Sequence, residues 1–167
     1  NVYNSRSLDY LRRKGLASAC LSFELRFSQI RDLKKLLPTE ALVYGRLPLM
    51  ITENCLVQNE TGCRLDRQGP CVPEDGPCRC GQPNVLVDRT GAAFPLLPAY
   101  GHRTEIQNSK PLYLADRPEH RRLGLAYARL RFTTETAEEC VSVVQNYLDA
   151  APAAGDFTRG LYERGVE

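Results

Sequence analysis

Five of the seven cysteines, Cys55, Cys63, Cys71, Cys78 and Cys80, fall within 26 residues, and His102, one of only two histidines, follows shortly after. Thiolates gathered with an imidazole are soft ligands for zinc or an iron-sulfur cluster. Simple burial explains the cluster poorly, because GPCVPEDGPCRCGQ holds too few apolar side chains to enclose anything. Disulfide bonding is disfavoured by the odd count and by the lack of a secretory leader pattern. Two Gly-Pro pairs, Gly69-Pro70 and Gly76-Pro77, stand just before Cys71 and Cys78, where turns could present a thiol to a metal. The expected ligand set is Cys55, Cys63, Cys80 and His102. Cys71 and Cys78 read as additions within the insert, with Cys78 the first substitute for His102. A neutral imidazole beside three thiolates suits zinc, and zinc versus [4Fe-4S] stays open. So many thiolates would quench the Lewis acidity of a metal, so the site is expected to be structural. Cys55 and His102 are also the one attractive pair for thiol-based hydrolysis.

The elements that must position these residues follow from periodicity. Asn1 to Tyr3 is strand-like, and Asn4 or Ser5 can cap a helix with Leu8 and Leu11 on one face and Gly15 at its end. Leu16 to Phe23 reads as a buried strand containing Cys20. Ser28 is expected to cap a second helix carrying Ile30, Leu33 and Leu37, stopped by Pro38, and ALVY (Ala41 to Tyr44) as a third strand. This β-α-β-α-β order predicts parallel strands, as in doubly wound sheets and (β/α)8 barrels. Function then belongs at the C-terminal ends of the strands, at Asn4, Ser22, Glu24, Gly45 and Arg46. Glu24, Arg46 and Asn4 are the catalytic candidates. A salt-bridged carboxylate is the alternative for Glu24.

Downstream, Val85 to Asp88 and Ala93 to Leu97 predict a hairpin turning at Arg89 to Gly91, with His102 just beyond it. PLYLA, a helical turn at Pro118 to Leu123 and LAYARLRFT bring back the α/β pattern. Thr136 and Glu139 form a capping box opening a helix with Ala137, Cys140, Val141, Val144 and Leu148 at helical spacing, which predicts that Cys140, like Cys20, is a core residue. The tail PAAGDFTRGLYERGVE reads as a connector. The expected fold class is therefore α/β: a partial TIM-barrel-like β-α-β-α-β unit, a Cys-rich metal-binding insert with a β-hairpin, and a second small β-α-β-α segment. The expected divisions are 1–50, 51–110 and 111–167.

Hydrophobic residues at 43% and charged residues at 25% describe an ordinary globular chain. No apolar run reaches membrane-spanning length, so a cytoplasmic location without a membrane is expected. The net charge of +2 does not argue for nucleic acid, although Arg117 to Arg122 is a local basic run. Glycine-rich dinucleotide and phosphate loops and HExxH are absent.

With YGRLPLMITENC, DRTGAAFP, EIQNSKPLYLAD, LRFTTE and FTRGLYERGVE in order, the chain resembles the collagenase-like peptidases, peptidase family thirty-two of unassigned mechanism. The resemblance implies that Asn1 to Tyr44 are the last β/α units of a modified TIM barrel, that the partner of this segment is the missing remainder of the same polypeptide, and that the segment alone lacks peptidase activity. The implied activity is proteolysis. The alternative is the oxygen-independent, iron-sulfur-dependent hydroxylation of RNA bases or a small aromatic substrate by some relatives, so the substrate is a peptide or RNA. Relatives bearing a four-iron cluster have further cysteines where this chain has Pro48 and Tyr113, and only Cys55 carries over.

Overall fold

The computed structural model describes residues 2–61, 79 and 82–164 of the 167. In chain order the elements are α1 (Ser5–Arg13), β1 (Ala19–Cys20), α2 (Phe27–Asp32), β2 (Thr39–Gly45), β3 (Pro48–Thr52), α3 (Leu56–Thr61), β4 (Asn84–Val87), β5 (Ala93–Ala99), β6 (Arg103–Gln107), β7 (Leu112–Tyr113), a 3-10 helix (Pro118–Arg122), β8 (Tyr127–Leu130) and α4 (Ala137–Asp149). They fold as two compact units, Asn1–Gly45 with Lys110–Glu167, and Arg46–Ser109. The fold is mixed α/β with open sheets and no closed barrel among the described residues. No helix is long and apolar enough to cross a membrane among these residues.

In the first unit, β2 is the central strand. β1 and β8 pair with it in parallel and β7 crosses its end antiparallel, while Val2 adds a parallel bridge at Leu21. Ala41, Leu42, Val43 and Tyr44 are buried in succession, as expected of a strand covered on both faces. β2 ends at Gly45 because φ there is +121°, and a Cβ would stand 2.1 Å from the carbonyl oxygen of Arg131. Beside this end lies an aromatic cluster of Tyr44, Tyr113, Phe132, Tyr147 and Phe157. The Tyr147 hydroxyl donates to the Val43 carbonyl at 2.5 Å and accepts from the Leu114 amide at 2.8 Å. It thereby ties α4 to β2 and to the residue that follows β7.

Several expectations need correcting. α2 begins after Arg26, whose amide donates to the Gln29 side chain at 2.9 Å, so Ser28 is inside the helix and not its cap. The chain leaves helical geometry at Leu33, well before Pro38, and Lys35 Nζ donates to the last-turn carbonyl of Ile30 at 2.6 Å. The predicted strand at Leu16 to Phe23 contracts to two residues. Cys20 there is only half-buried, because strand alternation puts it opposite the buried Ala19 and Leu21. Cys140 is likewise half-buried, not core. The expected apolar stripe of α4 faces outward, with Val141 70% and Leu148 69% exposed, while Val143 and Tyr147 make the inward contacts. The tail is no connector. Thr158 bridges Leu112, and Tyr162 is fully buried, stacked on Phe27 at 5.2 Å with its hydroxyl donating to the Leu42 carbonyl at 2.5 Å.

The second unit is a four-stranded antiparallel sheet in the order β3-β6-β5-β4. The β4–β5 hairpin forms as its sequence predicts. Asp88 Oδ1 accepts from the Thr90 hydroxyl at 2.6 Å, the Thr90 amide at 2.7 Å and the Ala92 amide at 3.0 Å, and Gly91 takes the left-handed conformation that the turn needs.

Candidate active site

The chemistry predicted for Cys55 and His102 depends on whether the fold brings them together. β3 and β6 pair antiparallel with Thr52 opposite Thr104, and β5 pairs with β6 through Ala99 opposite Arg103. The segment leaving β3 (Glu53, Asn54, Cys55) therefore emerges beside the turn Tyr100-Gly101-His102 that enters β6. Thr104, buried on the sheet, fixes the exit from β3, because its hydroxyl oxygen accepts from the Leu56 amide at 3.0 Å at the start of α3. The Thr52 hydroxyl donates to the Asn54 carbonyl at 2.5 Å and holds the bend between strand and helix.

The result is a cavity of about 560 Å³ lined by Glu53, Asn54, Cys55, Gln58, Asn59, Gly101 and His102. Cys55 is 8% exposed and forms part of this wall. His102 sits in it with φ +59°, a left-handed backbone that a non-glycine residue adopts at a cost of about 1 kcal/mol. The charge of Glu53 is taken up by Arg103, whose guanidinium nitrogens lie 2.9 and 3.2 Å from Oε2. The polar wall thus offers one thiol, one imidazole and three carboxamides, from Asn54, Gln58 and Asn59. Cys55, Gln58 and Asn59 share a side of the chain because three- and four-residue steps superpose on a helix.

Residues 1–90 match the model of peptidase family U32. The chain belongs to this family. The matched span includes Cys55 and the whole of α3, whereas His102 lies beyond it. No curated protein and no solved structure matches the chain.

For this U32 chain, the residues expected to act are distributed as follows. Cys55 and His102 both line the cavity, while Cys63, Cys71, Cys78 and Cys80 lie outside the described residues. No group of three or more His, Cys, Asp and Glu side chains that could hold a metal ion converges among the described residues. Asn4 caps α1, its Oδ1 accepting from the Ser7 amide at 2.9 Å. Glu24 follows β1 half-buried, and its amide donates to the Ser22 hydroxyl at 3.3 Å. Arg46 donates to the carbonyl oxygens of Asn108, at 3.0 Å, and Ser109. Asn54, Gln58 and Asn59 were not anticipated as site residues. The ENCLVQN run carries their signal, since Gln58 and Asn59 stand three and four residues after Cys55 and Asn54 directly precedes it.

Proposed function

We propose that this U32 chain carries a thiol centre for peptide-bond hydrolysis, with Cys55 as nucleophile and His102 as base. The observation that carries this reading is the shared cavity wall of the two side chains, in a family named for peptidases. His102 takes the thiol proton and the Cys55 sulfur adds to the peptide carbonyl carbon. A C–S bond forms, and the carbonyl π pair moves to oxygen. The side-chain N–H groups of Asn54, Gln58 and Asn59 are the donors available to that oxyanion. Its collapse breaks the C–N bond, with the imidazolium proton leaving on the amine. Water then cleaves the thioester, His102 receives a proton from it, and the thiol is restored.

The test is covalent and needs no turnover. A peptidyl chloromethyl ketone should alkylate Cys55 ahead of Cys20 and Cys140, as read by peptide mass mapping. His102→Ala should slow this labelling about a hundredfold or more, the usual contribution of a positioned base. Labelling no faster at Cys55 than at Cys20, or unaltered by His102→Ala, would overturn the assignment.

A second reading rests on the same juxtaposition, with Cys55 and His102 joining Cys63 and Cys80 around a structural metal. Elemental analysis after anaerobic purification distinguishes the two. Stoichiometric zinc or iron that is lost in Cys55→Ala, together with an unreactive Cys55, favours the metal.

A further inference from the structure

β8, α4 and the 3-10 helix border a second hollow. Ala128 and Leu130 lie on one side of β8, two residues apart, and Val144 and Leu148 stand one turn apart on α4. With Leu125 and the ring of Tyr147 they line a cavity of about 310 Å³, formed by residues of the first unit alone. Ala128 ends at its Cβ and so leaves room there. Val144 and Leu148 are 42% and 69% exposed, which keeps one side open to solvent. The volume stands at the lower end of the roughly 300–1,000 Å³ of small-molecule pockets.

Two polar groups of this lining are already engaged. The Tyr147 hydroxyl both donates and accepts, to Val43 and from Leu114, and the Arg121 guanidinium donates to the Tyr147 carbonyl at 2.6 Å. His120 also lines the cavity and offers what they do not. It is only 6% exposed, and its Nδ1 faces the Arg117 carbonyl. A carbonyl can only accept, so Nδ1 carries the proton and Nε2 keeps a lone pair. Burial, which pushes the imidazole pKa down, maintains that neutral form. Among the described residues Nε2 has no hydrogen-bond partner. Yet it is not one of the sealed side-chain atoms that lack a partner, which are Thr39 Oγ1, Gln107 Oε1, Arg117 Nε and Thr133 Oγ1. A nitrogen of a buried ring that is neither bonded nor sealed is reached through the cavity that the ring lines.

We propose that this cavity binds a small uncharged molecule, apolar over most of its surface and carrying one O–H or N–H group that donates to His120 Nε2. The aliphatic walls supply affinity through apolar area. No carboxylate is among the described residues that line the cavity, so a cation finds no counter-charge, and the Nε2 lone pair repels an anion. The single acceptor selects the ligand, because a molecule of the same shape without a donor leaves Nε2 against an apolar group. The site shares no residue with the Cys55 cavity and does not depend on the hydrolysis reading.

The test uses the whole chain with indole, and with benzofuran, which has the same shape but an oxygen in place of the N–H. Isothermal titration should show saturable binding of indole at one site, with benzofuran about tenfold or more weaker. By imidazole nitrogen NMR, the His120 Nε2 resonance should move with indole far more than with benzofuran. His120→Phe should abolish the preference between the two, and Leu148→Glu, on the open side, should weaken both. Absence of saturable binding, equal affinities in the native chain, an Nε2 resonance that indole leaves in place, a preference that survives His120→Phe, or binding untouched by Leu148→Glu would each overturn the proposal. So would indole binding that weakens as protein concentration rises, which would give the cavity to a second copy of the chain. The Nε2 resonance decides the matter even if His120→Phe fails to fold.

Discussion

Asn4 shows how one residue type can be read for two purposes. Its place after a strand-like segment suggests chemistry at the end of a parallel strand, but its carboxamide oxygen accepts from the Ser7 amide and stabilises the start of α1. Asn4→Ala should therefore cost about 1 kcal/mol of stability, the usual value of an N-cap. The same variant should leave the alkylation rate of Cys55 unchanged. Urea unfolding and mass mapping of one preparation check both halves, and a labelling defect at full stability would return Asn4 to the chemistry. Cys55 and His102 differ from Asn4 in kind, because they line a cavity instead of satisfying the ends of an element.

Among the elements, α4 separates sequence pattern from packing most clearly. Its capping box is formed, with Glu139 Oε2 accepting from the Thr136 amide at 2.7 Å, and Ala150 closes the helix in the left-handed region. Its face is decided by Tyr147, which binds Val43 and Leu114 and meets Tyr44, Tyr113 and His120. Tyr147→Ala should cost about 3–5 kcal/mol, as for other large aromatic truncations, whereas Leu148→Ala should stay within about 0.5 kcal/mol because its side chain is already in water. Denaturant midpoints of the two variants provide the check. A large loss for Leu148→Ala would show that its face is covered in solution.

For the molecule as a whole, two groups in the first unit contribute to the pH dependence of stability. The Arg159 guanidinium grips Asp116 with both terminal nitrogens, at 2.6 and 2.7 Å, and holds its carboxyl below the ordinary aspartate value. A folded-state pKa below the unfolded one means that this stabilisation is present above about pH 4 and is lost as pH falls further. Burial pushes the His120 imidazole down, so that it is neutral in the fold with Nδ1 directed at the Arg117 carbonyl. Unfolding then takes up a proton, and stability also declines as pH falls below about 6.5. Urea midpoints between about pH 7 and about pH 3 should show both declines, the lower one flattened in Arg159→Gln and the upper one in His120→Gln. An upper decline unchanged in His120→Gln would assign it to another group.

Local chemistry was legible in the sequence wherever a residue acts on its near neighbours. The α1 cap at Asn4, the box of Thr136 and Glu139, the hairpin turn at Asp88 to Gly91 and the all-buried run of β2 each depend on contacts within a few positions or on period alone. The clustered thiols and the scarce histidines likewise make Cys55 and His102 candidates in the sequence itself. Tertiary structure decided what depends on distant partners. Thr52 opposite Thr104 brings the exit of β3 to the turn at His102, a pairing across roughly fifty positions that no local pattern encodes. Which side of α4 is inside was set by one tyrosine hydroxyl reaching Val43, although the aliphatic spacing favoured the other side. The Gly-containing tail became core because Tyr162 buries its ring with its hydroxyl donating a hydrogen bond to the Leu42 carbonyl. Periodicity reports that a face is apolar, and only the fold determines whether another element arrives to cover it.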